Sequence, residues 1–85
     1  MERKDVYKLI DGERDYQDKR WEVSAEADKD RSVAEWLSFI SFHVNQCSNQ
    51  IYNLDKEKAL EEIRKIAALS VVCLENNDCK PRKTV

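Results

Sequence analysis

Glycine and proline are almost absent from this 85-residue chain, and their absence restricts its fold more than any other feature. Gly12 and Pro81 are the only residues of their kind. Folds rich in β-strands need many tight turns, and those turns draw heavily on glycine and proline. The sequence therefore predicts an all-α fold.

The spacing of apolar residues predicts three α-helices. They cover about residues 3–21, 32–53 and 56–75. Ser32 and Glu35 have the spacing of a capping box at the start of the second helix, and Asp55 is a favourable N-cap for the third. Gly12 falls inside the first helix, where it would allow another backbone to approach closely. Residues 22–31 are polar and aperiodic, which is typical of a solvated connection.

The second half of the third helix constrains how the chain assembles. Its sequence, IAALSVVCL (66–74), is apolar on nearly every side, and a helix of that kind is buried on every side. Three helices in a single domain over residues 1–77 are too few to enclose it. We therefore expect a three-helix hairpin or bundle that assembles into a dimer or higher oligomer. In the alternative, residues 71–74 only pack under the connection at 22–31. The expected interface residues are Phe42, Ala68, Leu69 and Val72.

Composition limits the partners and the location of the protein. Its net charge of −2 provides no positive field for nucleic acid, which argues against DNA binding.

Cys47 and Cys73 fall among apolar residues, where a free cysteine acts as a small hydrophobic side chain; this favours a reducing, cytoplasmic location. No apolar run reaches about 18 residues and the chain begins MERKD, so we expect no membrane span and no signal peptide. A basic tail at 78–85 is expected to be solvated.

The first predicted helix carries polar residues in the middle of its apolar face. Glu13 lies near the centre of that face, and Gln17 and Arg20 flank it. Burying an unpaired carboxylate or guanidinium is costly, and two arrangements avoid the cost. In one, Glu13 and Arg20 pair with each other through Gln17 as a closed network. In the other, residues 13–21 line a cleft that holds water or a ligand. Both are consistent with the sequence.

The residue types in this patch suit a nucleotide. Aromatic side chains offer a surface on which a base stacks, arginine binds phosphate, and a carboxylate or amide binds a ribose hydroxyl. His43 and Arg64 would reach such a cleft from neighbouring helices, although a lone histidine in this position is more often a packed core residue. The candidate ligand-binding residues are Glu13, Tyr16, Gln17, Arg20, Trp21, His43 and Arg64.

Four stretches of the chain carry a family resemblance. They read YKLIDGERDYQDKRW (7–21), VAEWLSFISF (33–42), EEIRKIAALSVVCLE (61–75) and CKPR (79–82). Together they resemble a group of small phage-encoded proteins that are grouped with the MazG-like, all-α nucleotide pyrophosphohydrolases. The resemblance implies a helical bundle, usually a dimer or tetramer, that binds a nucleotide.

Members of that superfamily bind magnesium through ExxE and ExxD pairs on facing helices. Carboxylates three residues apart on a helix aim at one point, and magnesium prefers oxygen ligands. This chain departs from the pattern. Glu35 and Glu62 lack a second carboxylate three positions later, and the pair Asp15 and Asp18 lies on the outer face of the first helix. The magnesium ligands of the family are therefore not carried over.

Three functions follow as hypotheses. The first is a phage accessory protein that binds a nucleotide or nucleotide-derived signal, without a cofactor or catalytic residue, and so sequesters an immune signal in the cytoplasm of an infected bacterium. The second is a magnesium-dependent pyrophosphohydrolase in which Glu13, Glu35 and Glu62 converge on the metal. The third is an inhibitor that docks on a host protein through Phe42 and Tyr52.

Overall fold

The computed structural model describes residues 1–83, and this part of the chain is entirely helical apart from its connections and tail. Its helices are α1 (Arg3–Arg20), α2 (Ala25–Lys29), α3 (Val33–Tyr52) and α4 (Lys56–Asn76). The all-α prediction is confirmed. The three long helices begin and end within one residue of their expected positions. The last two residues of the predicted basic tail lie outside the described residues.

The connection between the first two long helices is more ordered than the sequence suggested. It is solvated as expected, with no buried residue, but it contains one turn of 3-10 helix at Glu22–Ser24 followed by α2. The described part of the chain therefore has four α-helices rather than three. A helix as short as α2 leaves almost no periodic pattern in the sequence, because it spans little more than one turn.

Local interactions fix both ends of the α3–α4 hairpin. The capping box predicted at Ser32 and Glu35 is present, with each side chain bonded to the backbone N–H of the other. The Asp55 side chain accepts a hydrogen bond from the backbone N–H of Lys58, so Asp55 caps α4 as expected. Leu54, with φ of 60°, reverses the chain between the two helices. This is a left-handed conformation that β-carbon contacts disfavour.

Helix α4 occupies the centre of the fold. Both α3 and α1 pack against it, whereas α1 and α3 make few contacts with each other across the described part of the chain. The two outer helices therefore leave a space between them. Gly12, on α1, does not serve a close helix approach, because a β-carbon placed there would meet no atom within 4 Å.

The hydrophobic core is small. Its buried apolar residues are Trp36 and Cys47 on α3 and Ala59, Ala68 and Val72 on α4. Ala68 and Val72 were expected at a subunit interface, but they are buried inside the subunit, because α4 is packed by its own chain on two sides. Ala68 has no exposed surface left for a second copy.

Much of the apolar surface of the subunit remains exposed. Its accessible area is 7184 Å², whereas a folded monomer of this mass exposes about 5,200 Å². Its radius of gyration is 14.1 Å, compared with about 12 Å for a compact chain of this length. The described chain is therefore more open than a typical compact domain of its size. No helix among residues 1–83 combines the length and the apolar character needed to cross a membrane.

Candidate functional site

A cleft of about 920 Å³ lies between α1 and α3; we call it the α1/α3 cleft. Leu69, Val72 and Asn76 of α4 form its floor, and the segment Trp21–Arg31 closes one end. Small-molecule sites have volumes of about 300–1,000 Å³, so this cleft is large enough for a nucleotide-sized ligand.

Aromatic rings form the α3 wall of the cleft. Trp36, Phe39 and His43 follow one another at spacings of three and four residues, which places them on one face of the helix. The rings of Trp36 and Phe39 meet edge to face, with centroids 5.8 Å apart. Trp21 lines the cleft from the end of α1 and is more than half exposed. The cleft therefore offers flat apolar surfaces on two sides.

Trp36 also brings an unsatisfied polar group to this wall. The residue is only 4% exposed, and its indole Nε1 is buried without a hydrogen-bond partner among residues 1–83. Leaving a buried donor unpaired costs about 1–3 kcal/mol. Because this nitrogen has no accessible surface, a molecule in the cleft does not reach it in this conformation, and the cost remains within the fold.

The charges that line the cleft balance each other. The basic residues are Arg14, Lys19, Lys29 and Arg31, and the acidic residues are Asp15, Asp18, Glu22 and Asp28. Both arginines are held in place by acidic neighbours. A guanidinium nitrogen of Arg14 lies 2.5 Å from Asp18, and Nε of Arg31 lies 2.7 Å from Asp28. Arg31 also stacks on the ring of Phe39, 5.1 Å from its centroid.

The structure distributes the seven expected ligand-binding residues over three places. Gln17, Trp21 and His43 line the α1/α3 cleft. A separate, shallower depression of about 360 Å³ is lined by Glu13, Tyr16 and Arg64. Arg20 lines neither; it is exposed, and its guanidinium lies 5.3 Å from the centroid of the Trp21 ring.

Glu13 is buried and has a partner from another helix. Its Oε1 accepts a hydrogen bond of 2.8 Å from Nε of Arg64. The side chain of Glu13 is 7% exposed, whereas that of Arg64 is 40% exposed. Arg20 is not the partner, and Gln17 accepts a hydrogen bond from Arg14 instead of bridging a network. The polar residue at the centre of the α1 face therefore joins α1 to α4.

His43 and Glu62 form a second pair between helices. Nδ1 of His43 lies 2.7 Å from Oε2 of Glu62, and Nζ of Lys65 donates to the other carboxylate oxygen at 3.2 Å. Burial by itself would raise the pKa of Glu62. The hydrogen bonds from His43 and Lys65 outweigh that effect and hold the pKa of Glu62 below its ordinary value.

The three carboxylates required by the hydrolase hypothesis are not brought together. Glu13 pairs with Arg64, Glu35 caps α3, and Glu62 pairs with His43. Across residues 1–83 no group of three or more His, Cys, Asp or Glu side chains is placed to hold a metal ion. Magnesium chemistry through this set of carboxylates would need a different arrangement of the helices.

Sequence reasoning missed part of the cleft wall. Arg14 and Phe39 line the cleft but were not among the candidates. The spacing of Trp36, Phe39 and His43 was a usable signal, because it places three rings on one helix face. Arg31 gave no such signal, because it lies in a connection without periodicity.

Comparison with known proteins gave no match to a family model, a curated protein or a solved structure. The function is therefore inferred from the residues of the cleft and of the exposed faces.

Arg64→Ala is expected to destabilise the fold, because it leaves the buried carboxylate of Glu13 without a partner. We expect a loss of about 1–3 kcal/mol in the free energy of unfolding, less than for a fully buried pair because Arg64 is 40% exposed. Urea unfolding measures the change. Arg20→Ala is the matched control and should alter stability by no more than about 0.5 kcal/mol.

Adding Glu13→Leu to Arg64→Ala should restore most of the loss, because no charge then remains buried. Two results would contradict a stabilising role for the Glu13–Arg64 pair. One is an equal loss of stability in Arg64→Ala and Arg20→Ala, and the other is no recovery of stability in the double variant.

The lowered pKa of Glu62 makes stability depend on pH. Its pKa in the folded state lies below the ordinary 4.5, so its contribution is complete above pH 4.5 and is lost as pH falls through the folded-state pKa. Glu62→Gln should therefore flatten the fall in Tm on acidification below pH 4.5. Glu61→Gln, at an exposed neighbouring position, is the control. Thermal melts at a series of pH values test this, and identical acid profiles for wild type and Glu62→Gln would refute it.

Proposed function

We propose that this protein binds a nucleotide or nucleotide-derived signalling molecule in the α1/α3 cleft and retains it without hydrolysis. The observation that carries the proposal is a ligand-sized cleft with aromatic rings on two sides, Trp36 and Phe39 on α3 and Trp21 at the end of α1. A planar base would stack on these rings.

The charge balance of the cleft favours a ligand that carries few phosphates. Arg14 and Arg31 are already paired with Asp18 and Asp28, so an incoming phosphate must compete with fixed carboxylates. The formal charges of the residues that line the cleft sum to zero, so the cleft provides no net positive charge to stabilise each additional phosphate. A nucleoside monophosphate or a cyclic nucleotide therefore fits better than a triphosphate. This preference separates the proposal from a nucleoside triphosphate pyrophosphohydrolase.

The separate partners of Glu13, Glu35 and Glu62 also favour binding over metal-dependent hydrolysis. Together with the resemblance to small phage-encoded MazG-like proteins, this supports a phage accessory protein that sequesters a host immune signal in the bacterial cytoplasm. Sequestration needs only a site that binds the ligand tightly and as many protein molecules as ligand molecules. It does not need catalytic groups.

The protein is proposed to act as a homo-oligomer. Leu37, Val44 and Ile51 recur every seven residues along α3, and each is about half exposed. Leu60 and Ile63 add a similar exposed stripe on α4. Apolar stripes with this period pack against another helix. The surface in excess of a compact monomer is about 2,000 Å² per chain, more than the roughly 800 Å² that each partner of a standard interface buries.

Ligand binding is tested by thermal shift and calorimetry with AMP, cyclic AMP and ATP, each with and without magnesium. We expect a monophosphate or cyclic nucleotide to stabilise the protein more than ATP does. Trp21→Ala should weaken binding at least about fivefold, because base stacking contributes about 1–3 kcal/mol. Tyr52→Ala removes an exposed aromatic residue outside the cleft and should have no effect.

Three outcomes would contradict the proposal. The first is the absence of any shift with all three nucleotides, and the second is an equal effect of Trp21→Ala and Tyr52→Ala. The third is turnover: release of pyrophosphate from ATP in the presence of magnesium would establish the hydrolase instead. A bound nucleotide recovered intact after denaturation supports sequestration.

The oligomer is tested by native mass. Wild type should exceed the 10.0 kDa of one chain, and the double variant Leu37→Asp, Ile51→Asp should reduce the mass to that of a monomer. Charges placed in the α3 stripe would have to be buried without a partner. Val23→Asp, at a fully exposed position of the 3-10 turn, should leave the mass unchanged. A monomeric wild type would refute the interface.

A further inference from the structure

His43 has one hydrogen-bonding nitrogen occupied and one free. Nδ1 is bonded to Glu62, whereas Nε2 has no partner among residues 1–83. The ring lines the α1/α3 cleft. Trp36 supplies the one buried side-chain polar atom without a partner in that part of the chain, so Nε2 of His43 is not enclosed in a dry interior. It is available to a molecule in the cleft.

The partner of Nδ1 determines which tautomer His43 adopts. An ionised carboxylate can only accept hydrogen bonds, so the neutral imidazole must carry its proton on Nδ1. Two donors, His43 and Lys65, converge on Glu62 and favour its ionised form. Nε2 then presents a lone pair. The cleft therefore offers a hydrogen-bond acceptor at His43.

His43 stands at one end of the aromatic wall of α3. Trp36, Phe39 and His43 follow one another at spacings of three and four residues, and all three line the cleft. A base stacked along this wall would turn an edge towards His43. The lone pair on Nε2 complements an amino group on that edge.

We propose that His43 reads an exocyclic amino group of the bound base, with Glu62 as the positioning residue that holds the imidazole proton on Nδ1. The inference rests on the proposed function and narrows the ligand class to nucleotides with amino-substituted bases. His43 binds the ligand through Nε2, and Glu62 acts only through His43.

The tautomer can be measured without any ligand. His43 is the only histidine in the chain, so one set of imidazole ¹⁵N signals reports on it. At about pH 8.5, where histidine is ordinarily neutral, wild type should show the Nδ1–H tautomer. Glu62→Leu should lose this preference, whereas Lys65→Met should keep it. An Nε2–H tautomer in wild type overturns the proposal, and this measurement does not depend on whether either variant folds.

The hydrogen bond between Nε2 of His43 and the amino group is tested with a matched pair of probes. They are AMP and purine riboside 5′-monophosphate, which lacks that group. Wild type should bind AMP about 2- to 10-fold more tightly, the effect of one neutral hydrogen bond. In His43→Phe, which keeps an aromatic ring beside Phe42, the ratio should fall to about one.

The outcomes separate the two proposals. Equal affinity of wild type for both probes overturns the role of His43 and leaves nucleotide binding in the cleft intact. A preference for AMP that persists in His43→Phe also overturns it. Binding of neither probe at millimolar concentration contradicts the proposed function and this inference together.

Discussion

The ion pair between Glu13 and Arg64 joins α1 to α4 at the one buried residue of α1. A second, longer pair between Arg14 and Glu75, at 3.7 Å, links the same two helices, so charged side chains contribute much of the attachment of α1. The α3–α4 hairpin, in contrast, contains all the buried apolar residues of the described chain. Because α1 and α3 contact different sides of α4, the position of α1 also determines the width of the α1/α3 cleft. The Glu13–Arg64 pair therefore lies at the contact that sets the geometry of the site.

Local features of the fold could be predicted from the sequence. The capping residues Ser32 and Asp55 and the bounds of the long helices depend on near neighbours and on periodicity, and both can be read along the chain. The position of Glu13 in the apolar face was also recognisable as anomalous. Its partner was not, because Arg64 lies 51 residues away and only the packing of α1 on α4 brings them together. Helix α2 was missed because it is too short for a periodic pattern.

The candidate site was predictable in part for a different reason. Polar residues on an apolar helix face, such as Gln17, indicate a cleft, because they have no place in a dry core. Trp36 and Phe39 carry no such signal: an apolar residue fits the wall of a cleft as well as it fits a core. Only the packing of the helices distinguishes the two, because it leaves the volume of the cleft beside the rings.

The small apolar area that α1 buries has a consequence for the dynamics of the protein. Segments with few buried contacts open at a lower free energy than the whole fold, so we expect α1 to detach before the α3–α4 hairpin unfolds. Because α1 forms one wall of the α1/α3 cleft, this motion would widen the cleft in a single step. On the proposed function, it would admit a ligand wider than the closed entrance.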